Sequence, residues 1–176
     1  TNGYPSDVVV VAVKTDPAKG AKGISLVLID KDMKGFSKGK PFEKVGLHAQ
    51  DTCELFFEDV KVPKENLLGK LGEGFKYLMT ELAQERLVVA LAAVALGEYM
   101  LASTVEYVKQ RKAFNKSISE FQNTRFKLAE MTAALEQGRI YCDHLVQLHN
   151  SKLVDPAMAS AAKYNMTELQ CKVADE

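Results

Sequence analysis

An acidic and a basic residue stand directly in front of an uncharged helical segment. Glu85 and Arg86 precede eleven residues, Leu87 to Gly97, that carry no charge. On a helix Glu85 shares a stripe with Leu82 and Val89, because residues three and four positions apart lie on the same face. A carboxylate on such a stripe loses hydration and becomes a better base near neutral pH. Glu85 is therefore a candidate general base, although a salt bridge at the rim of a helical bundle would explain the same pair.

A basic and aromatic cluster, KQRKAFNKS, occupies residues 109–117. Arg111 could clamp a pyrophosphate while Phe114 stacks on an aromatic ring. Alternatively, the cations complement the dipole at a helix end, and Asn115 closes the turn in a left-handed conformation. Gln122 also has two explanations: it could contact the same ligand, or it could serve only as the partner of Ser119 in a capping box. The pattern leaves both interpretations open.

Other patterns predict no site. The three histidines, His48, His144 and His149, share no metal-ligand spacing, so a metal site is not expected. The glycines of GKLGEG at 69–74 lack the order and the preceding strand of a dinucleotide-binding motif, which favours a flexible loop entering a helix.

Composition excludes several classes of protein. Of the 176 residues, 47% are hydrophobic and 26% charged, which is typical of globular domains and not of disordered chains. Equal numbers of basic and acidic residues, 23 each, predict neither a nucleic acid nor an anionic membrane as partner. The three cysteines are too widely spaced for a disulfide framework, which suits a reducing compartment. Residues 1–20 do not resemble a signal peptide, and the longest uncharged run is too short to span a bilayer, so no integral membrane segment is expected.

Two secondary-structure regimes meet near residue 70. Before it, β-type runs at 7–13, 24–30, 36–47 and 52–62 alternate with turn signals, which predicts an antiparallel sheet that ends at Pro63. After Gly74 the apolar residues follow the helical period. The sequence predicts an α+β fold with domains at 1–69 and 70–176.

Three long helices account for the second regime. The first runs from Gly74 to about Lys112, the second opens at Ser119, and the third opens at Asp155 with Pro156 in its first position. The second carries apolar residues at helical spacing: Leu128, Met131, Leu135, Cys142, Leu145 and Leu148. Short connections between helices of this length predict most of an antiparallel bundle.

Five blocks of the sequence together resemble the acyl-CoA dehydrogenase family, and the resemblance covers essentially the whole chain. The blocks are TNG (1–3), GISL (23–26), KVGLHAQDTCELFFEDVKVPKENLLG (44–69), GEGFKYLMTELAQERL (72–87) and VKQRKAFNKSISEFQNTRFKLAEM (108–131). Among subgroups, the resemblance favours the long-chain enzymes, with the isovaleryl-CoA dehydrogenases as neighbours. It implies part of an antiparallel β-domain followed by three helices of a bundle.

The resemblance further implies an FAD enzyme that desaturates a fatty acyl-CoA at the α,β position, the first step of β-oxidation. A carboxylate removes the α-proton, the β-hydrogen leaves as hydride to flavin N5, and electrons pass to an electron-transfer flavoprotein. The family forms homotetramers in the mitochondrial matrix or the bacterial cytoplasm.

Roles follow from the matching positions. Glu85 would be the base, Arg86 would hold the substrate near its thioester, and Thr1 would meet the flavin ring. The FAD pyrophosphate and adenine side would be held by Arg111, Phe114 and Gln122, usually across a subunit interface. Asn115 stands where the family has glycine, and we expect it to preserve the turn because asparagine tolerates a left-handed backbone.

The same comparison predicts that these residues are part of a longer protein. The chain would supply the second part of the middle β-domain and three helices of the C-terminal bundle, and would neither bind FAD stoichiometrically nor turn over by itself. Two alternatives remain open: an acyl-CoA oxidase or related flavoenzyme, and a shortened paralogue that binds a partner or lipid without catalysis.

Overall fold

A computed structural model describes residues 1–176, which form seven β-strands and three α-helices. In chain order these are β1 (Val8–Lys14), β2 (Ile24–Asp30), β3 (Phe36–Lys38), β4 (Leu55–Phe57), β5 (Leu67–Leu68), α1 (Gly74–Gln110), β6 (Lys112–Ala113), β7 (Lys116–Ser117), α2 (Gln122–Asn150) and α3 (Pro156–Asp175). The predicted α+β class and the three long helices are confirmed. The chain divides into two units, Thr1–Met79 and Thr80–Glu176. A domain boundary after residue 69 stays a prediction.

The first unit contains two antiparallel sheets. β1, β2 and β5 form one, and β3 pairs with β4 in the other. β2 supplies the buried side chains Ser25, Leu26 and Ile29. The prediction of a single sheet that ends at Pro63 is wrong, because the chain turns after Pro63 and Leu67 pairs with Val27. Proline stops a strand locally but does not prevent the chain from rejoining the sheet further on.

The glycine-rich loop before α1 is fixed on β2, although its composition indicates flexibility. Gly72 has φ 79° and its N–H donates to the buried hydroxyl of Ser25 at 2.9 Å. A Cβ on Gly74 would lie 2.8 Å from the carbonyl carbon of Ser25. Glycine is therefore required here for close backbone contact, and not for binding a phosphate.

The second unit is built from residues 80–110 of α1 together with α2 and α3. Its main core consists of Leu87, Ala90, Ala93, Val94, Cys142, Leu145, Ala162 and Met166. The apolar period predicted for α2 is confirmed, since Met131, Leu135, Cys142 and Leu145 are all buried. Burial raises the pKa of the Cys142 thiol, as expected of a packing residue that lacks water.

The predicted start of α3 is confirmed and that of α2 is corrected. Asp155 caps α3 by accepting the N–H of Ala157 at 2.8 Å, with Pro156 following it. The capping box assigned to Ser119 and Gln122 is wrong: the box joins Ser117 to Glu120 and closes a short 3₁₀ turn before α2. Gln122 is instead the first residue of α2.

By length and composition, α1 meets the criteria for a membrane-spanning helix. Its most apolar window has a mean hydropathy of 1.8, and 22% of that window is buried in the chain. Ala90 and Val94 are fully buried in the bundle core. One face of α1 therefore packs in the bundle, and its other faces are open in this chain.

Candidate active site

Glu85 lies on an open face of α1. Its neighbours on the stripe, Val89 and Ala92, are exposed, and Leu82 is half-buried. The face that packs against α2 and α3 instead contains Leu87 and Ala90. The expectation that the stripe withdraws Glu85 from water is therefore wrong for this chain, although the stripe itself exists. The structure places an exposed carboxylate at the edge of an uncovered apolar surface that begins with Val88 and Val89.

Arg86 differs from its neighbour because it points into the bundle. It is half-buried, and its Nη1 donates to Oγ of Ser160 on α3 at 3.2 Å. It forms no ion pair with any acidic side chain, so the salt bridge considered for this pair at the bundle rim is absent. The guanidinium keeps donors that no protein group uses.

A hairpin follows α1 and carries the basic and aromatic cluster. Its two central residues, Phe114 and Asn115, have φ of 52° and 63°, as a two-residue turn of type I′ requires. The expectation that Asn115 preserves the turn is confirmed. Phe114 is more unusual, because a bulky side chain rarely adopts this conformation and its ring is 90% exposed. Strain of this kind, with little burial in return, is typical of functional sites.

Arg111 is fixed by its backbone and free at its side chain. Its N–H donates to the carbonyl of Tyr107 in α1 at 2.9 Å, and its carbonyl accepts the N–H of Ile118 at 2.9 Å. The side chain is exposed and takes part in no ion pair. The alternative explanation, that the cations of the cluster only stabilise the helix end, suits Lys109 better, because Lys109 pairs with Glu106 in the last turn of α1.

Gln122 lies close to the hairpin through its neighbour Phe121. The rings of Phe114 and Phe121 meet edge to face with centroids 6.4 Å apart, and Lys116 lies over the Phe121 ring at 4.2 Å. Gln122 itself is exposed, and the capping box that could have explained it belongs to other residues. We call Arg111, Phe114 and Gln122 the hairpin site.

The hairpin site fits the pyrophosphate and adenine end of FAD. An exposed arginine without an acidic partner can bind a phosphate oxygen through two donors. An exposed aromatic ring can stack on adenine, and a free amide can donate and accept hydrogen bonds. All three side chains are exposed, and the one packing contact among them is that of Phe114 with Phe121.

Thr1 belongs to the first unit, whereas the other predicted residues belong to the second. It is exposed, and the residues after it are tied to Asp51: the N–H of Asn2 donates to the Asp51 carbonyl at 3.1 Å, and that of Tyr4 to its carboxylate at 3.0 Å. Within the second unit, the structure brings Arg111, Phe114 and Gln122 together and leaves Glu85 beside Arg86 on α1.

Sequence reasoning missed Ser160. It lies in the run of small residues AMASAA, which offers no signal other than helix packing. Its importance depends on which residue of α1 faces α3, and that relationship is visible only in the folded chain.

Two family models together match most of the chain. One, described as acyl-CoA dehydrogenase, C-terminal domain, matches residues 72–176, and the other, described as acyl-CoA dehydrogenase, middle domain, matches residues 1–60.

Individual relatives are similar over nearly all of this chain. It is 49% identical over 176 residues to the mitochondrial long-chain specific acyl-CoA dehydrogenase of Sus scrofa, covering 99% of this chain and 41% of that protein. It is 39% identical over 156 residues to the mitochondrial isovaleryl-CoA dehydrogenase of Arabidopsis thaliana, covering 89% and 38% respectively. A solved acyl-CoA dehydrogenase from Geobacillus kaustophilus superposes with a TM-score of 0.97 at 50% identity, over 99% of this chain and 47% of that one. The chain therefore spans less than half the length of these relatives.

Proposed function

Because this chain belongs to the acyl-CoA dehydrogenase family, we propose that the whole protein is an FAD-dependent dehydrogenase of fatty acyl-CoA. The observation that carries the proposal is an exposed carboxylate, Glu85, on the open side of α1, followed directly by Arg86, whose guanidinium keeps donors that no protein group uses. A base, a cation and an apolar surface are the three features that a fatty acyl thioester requires of its site.

Glu85 is the proposed base. Its carboxylate takes the proton from the carbon next to the thioester carbonyl, which is the most acidic C–H of the substrate. Bound FAD would supply the acceptor for the hydride that leaves the neighbouring carbon. Glu85 is exposed in this chain, but a substrate lying on the apolar stripe would exclude water from it. That desolvation strengthens the carboxylate as a base.

Arg86 is proposed to contact the thioester. Its unused guanidinium donors can bond to the carbonyl oxygen of the thioester and so hold the substrate in place beside Glu85. It follows Glu85 directly on the same turn of α1, so the two groups are positioned together by a single rigid helix.

FAD is proposed to be held at its pyrophosphate and adenine end by the hairpin site, which in the family usually acts across a subunit interface. Thr1 is proposed separately as a contact of the flavin ring. For the hairpin site, the support is an arginine without an ion pair and an aromatic ring 90% exposed at the tip of a turn. For Thr1, the support is the resemblance of its TNG segment alone.

Partners and compartment are proposed from the family. We propose an acyl-CoA substrate, an electron-transfer flavoprotein as the electron acceptor, and a homotetramer. The mitochondrial relative from Sus scrofa and the structure from Geobacillus kaustophilus support either the mitochondrial matrix or the bacterial cytoplasm.

The test is Glu85→Gln in the whole protein loaded with FAD, assayed with an acyl-CoA and an artificial electron acceptor. We expect kcat to fall by roughly two orders of magnitude or more, because the amide cannot accept the proton. The matched control is Glu81→Gln, which removes an exposed carboxylate one turn earlier on α1 and should leave turnover unchanged.

Retained turnover in Glu85→Gln would refute the assignment of the base. If wild-type enzyme reduced by acyl-CoA forms peroxide in air at the rate of turnover, oxygen would be the acceptor and the protein an oxidase. If wild-type protein with bound FAD oxidises no acyl-CoA of any chain length, the proposed function itself would fail.

A further inference from the structure

Arg86 is held on one side by a single hydroxyl group. The two residues are 74 positions apart in the chain, and the contact joins α1 to α3. A half-buried guanidinium without an acidic partner has lost part of its hydration, and no ion pair compensates for that loss. The structure keeps it half-buried and supplies Ser160 as the only protein acceptor.

The Ser160 hydroxyl is itself oriented. It donates its one proton to the carbonyl of Pro156, one turn earlier in α3, at 2.7 Å. Since that proton is committed, only the lone pairs of Oγ are available to Arg86, and their direction is fixed by the first bond. Arg86 therefore donates and Ser160 accepts, in one defined geometry.

Ser160 stands on a rigid part of α3. Its neighbours Ala159 and Ala162 are fully buried in the bundle. The helix start just before it is capped by Asp155 and begins with Pro156, so the first turn cannot fray easily. A support of this kind restricts a long side chain that would otherwise sample many rotamers.

We propose that Ser160 is a positioning residue for Arg86. It restrains the guanidinium so that the remaining N–H donors face the thioester oxygen of the acyl-CoA. This inference rests on the proposed function, because it takes Arg86 to contact the substrate. Ser160 does not itself touch the reacting atoms.

The test is Ser160→Ala in the whole FAD-loaded protein, with KM and kcat measured for one acyl-CoA. Losing one hydrogen bond to a charged group releases Arg86, and we expect KM to rise roughly three- to tenfold. We expect kcat to change less than about twofold, because Arg86 holds the substrate in both the ground and transition states. Ser160→Thr keeps the hydroxyl and should restore the wild-type KM.

Thr167→Ala is the matched control. Thr167 lies on the same helix and its hydroxyl makes the same type of bond, to the carbonyl of Lys163 at 2.9 Å, without contacting an arginine. Both alanine variants should lower the melting temperature to a similar extent, and only Ser160→Ala should raise KM. In an Arg86→Ala background, Ser160→Ala should have no further effect on KM.

Two results would overturn the inference: equal KM values for Ser160→Ala and wild type, or an undiminished effect of Ser160→Ala when Arg86 is already alanine. The second result would mean that the serine acts through packing. Either result leaves the proposed function standing, provided that wild-type protein oxidises acyl-CoA and Glu85→Gln does not. A wild-type holoenzyme that does not oxidise acyl-CoA would instead refute both the proposed function and the inference about Ser160.

Discussion

Replacing Phe114 by glycine separates the stability of the hairpin from its affinity for FAD. Phe114 has φ 52°, a left-handed conformation that costs a non-glycine residue about 1–2 kcal/mol. Two losses offset the relief of this strain. The edge contact with Phe121 contributes about 0.5–1.5 kcal/mol, and glycine increases the entropy of the unfolded chain by about 0.4–1 kcal/mol. The free energy of unfolding should therefore stay within about 1.5 kcal/mol of wild type.

FAD affinity should respond much more strongly than stability. Stacking of a base on an aromatic ring contributes about 1–3 kcal/mol, and its loss should raise the Kd for FAD about 5- to 150-fold. The assay is titration of the whole apoprotein with FAD, followed by flavin fluorescence, with urea unfolding measured in parallel on the apoprotein. A large rise in Kd with little change in unfolding would identify Phe114 as a ligand contact.

Two control variants isolate the ring from the turn. Asn115→Gly keeps the ring and makes the left-handed turn easier, so it should bind FAD as wild type does. Phe126→Ala removes another exposed phenylalanine, 58% accessible on α2 and outside the hairpin site, and should also leave the Kd unchanged. A wild-type Kd for Phe114→Gly, or an equal rise in Phe126→Ala, would refute the reasoning.

Two further predictions concern stability, both measured by urea unfolding. Gly97→Ala should lower the free energy of unfolding by up to about 2 kcal/mol, because the new Cβ would lie 2.6 Å from a methyl group of the buried Leu135. Overpacking costs about 1–3 kcal/mol, and the better helix propensity of alanine offsets about 1 kcal/mol of that cost. A variant more stable than wild type would contradict this prediction. Glu98 accepts two hydrogen bonds from Arg139, which hold the pKa of the Glu98 carboxyl below its ordinary value. The pair is partly exposed, so Glu98→Gln should cost at most about 1 kcal/mol at pH 7. The pKa of the Glu98 carboxyl is lower in the folded than in the unfolded state, so the ion pair stabilises the fold fully above the unfolded-state pKa of about 4.3. This stabilisation is lost as the pH falls through the folded-state pKa, and the difference in stability between Glu98→Gln and wild type should therefore vanish in acid. A difference that grows in acid would contradict the assignment.

The start of a helix was predictable from the sequence where a few adjacent residues determine it. Asp155 and Pro156 predicted the start of α3, because a cap and its first turn involve only neighbouring residues. The start of α2 was not predictable in the same way, because two overlapping sequences, Ser117 to Glu120 and Ser119 to Gln122, both match a capping box. The hairpin that ends at Ser117 decides between them, and it leaves Gln122 free for a ligand.

In the candidate site, too, the sequence predicted what depends on neighbouring residues and missed what depends on packing. Residue types and spacing made Glu85 and the hairpin site candidates but left structural explanations open for each. The roles of Glu85, Arg86 and the hairpin site came from the resemblance to the family. They could not predict which side of α1 is covered: an uncharged run of eleven residues, 87–97, is apolar in every direction and permits burial on any face. For that reason the sequence predicted a buried Glu85, whereas the fold leaves it exposed.

By itself, then, the sequence determined the helical period, the N-terminal cap of α3 and the chemical types gathered around Glu85 and Arg111, because each depends on residues only a few positions apart. The tertiary structure alone decided that Leu67 returns to Val27, that α1 buries Ala90 and not Glu85, and that Arg86 meets Ser160 on α3. These contacts join residues far apart in the chain. Their free energy depends on how whole elements pack, and no short stretch of sequence specifies that packing.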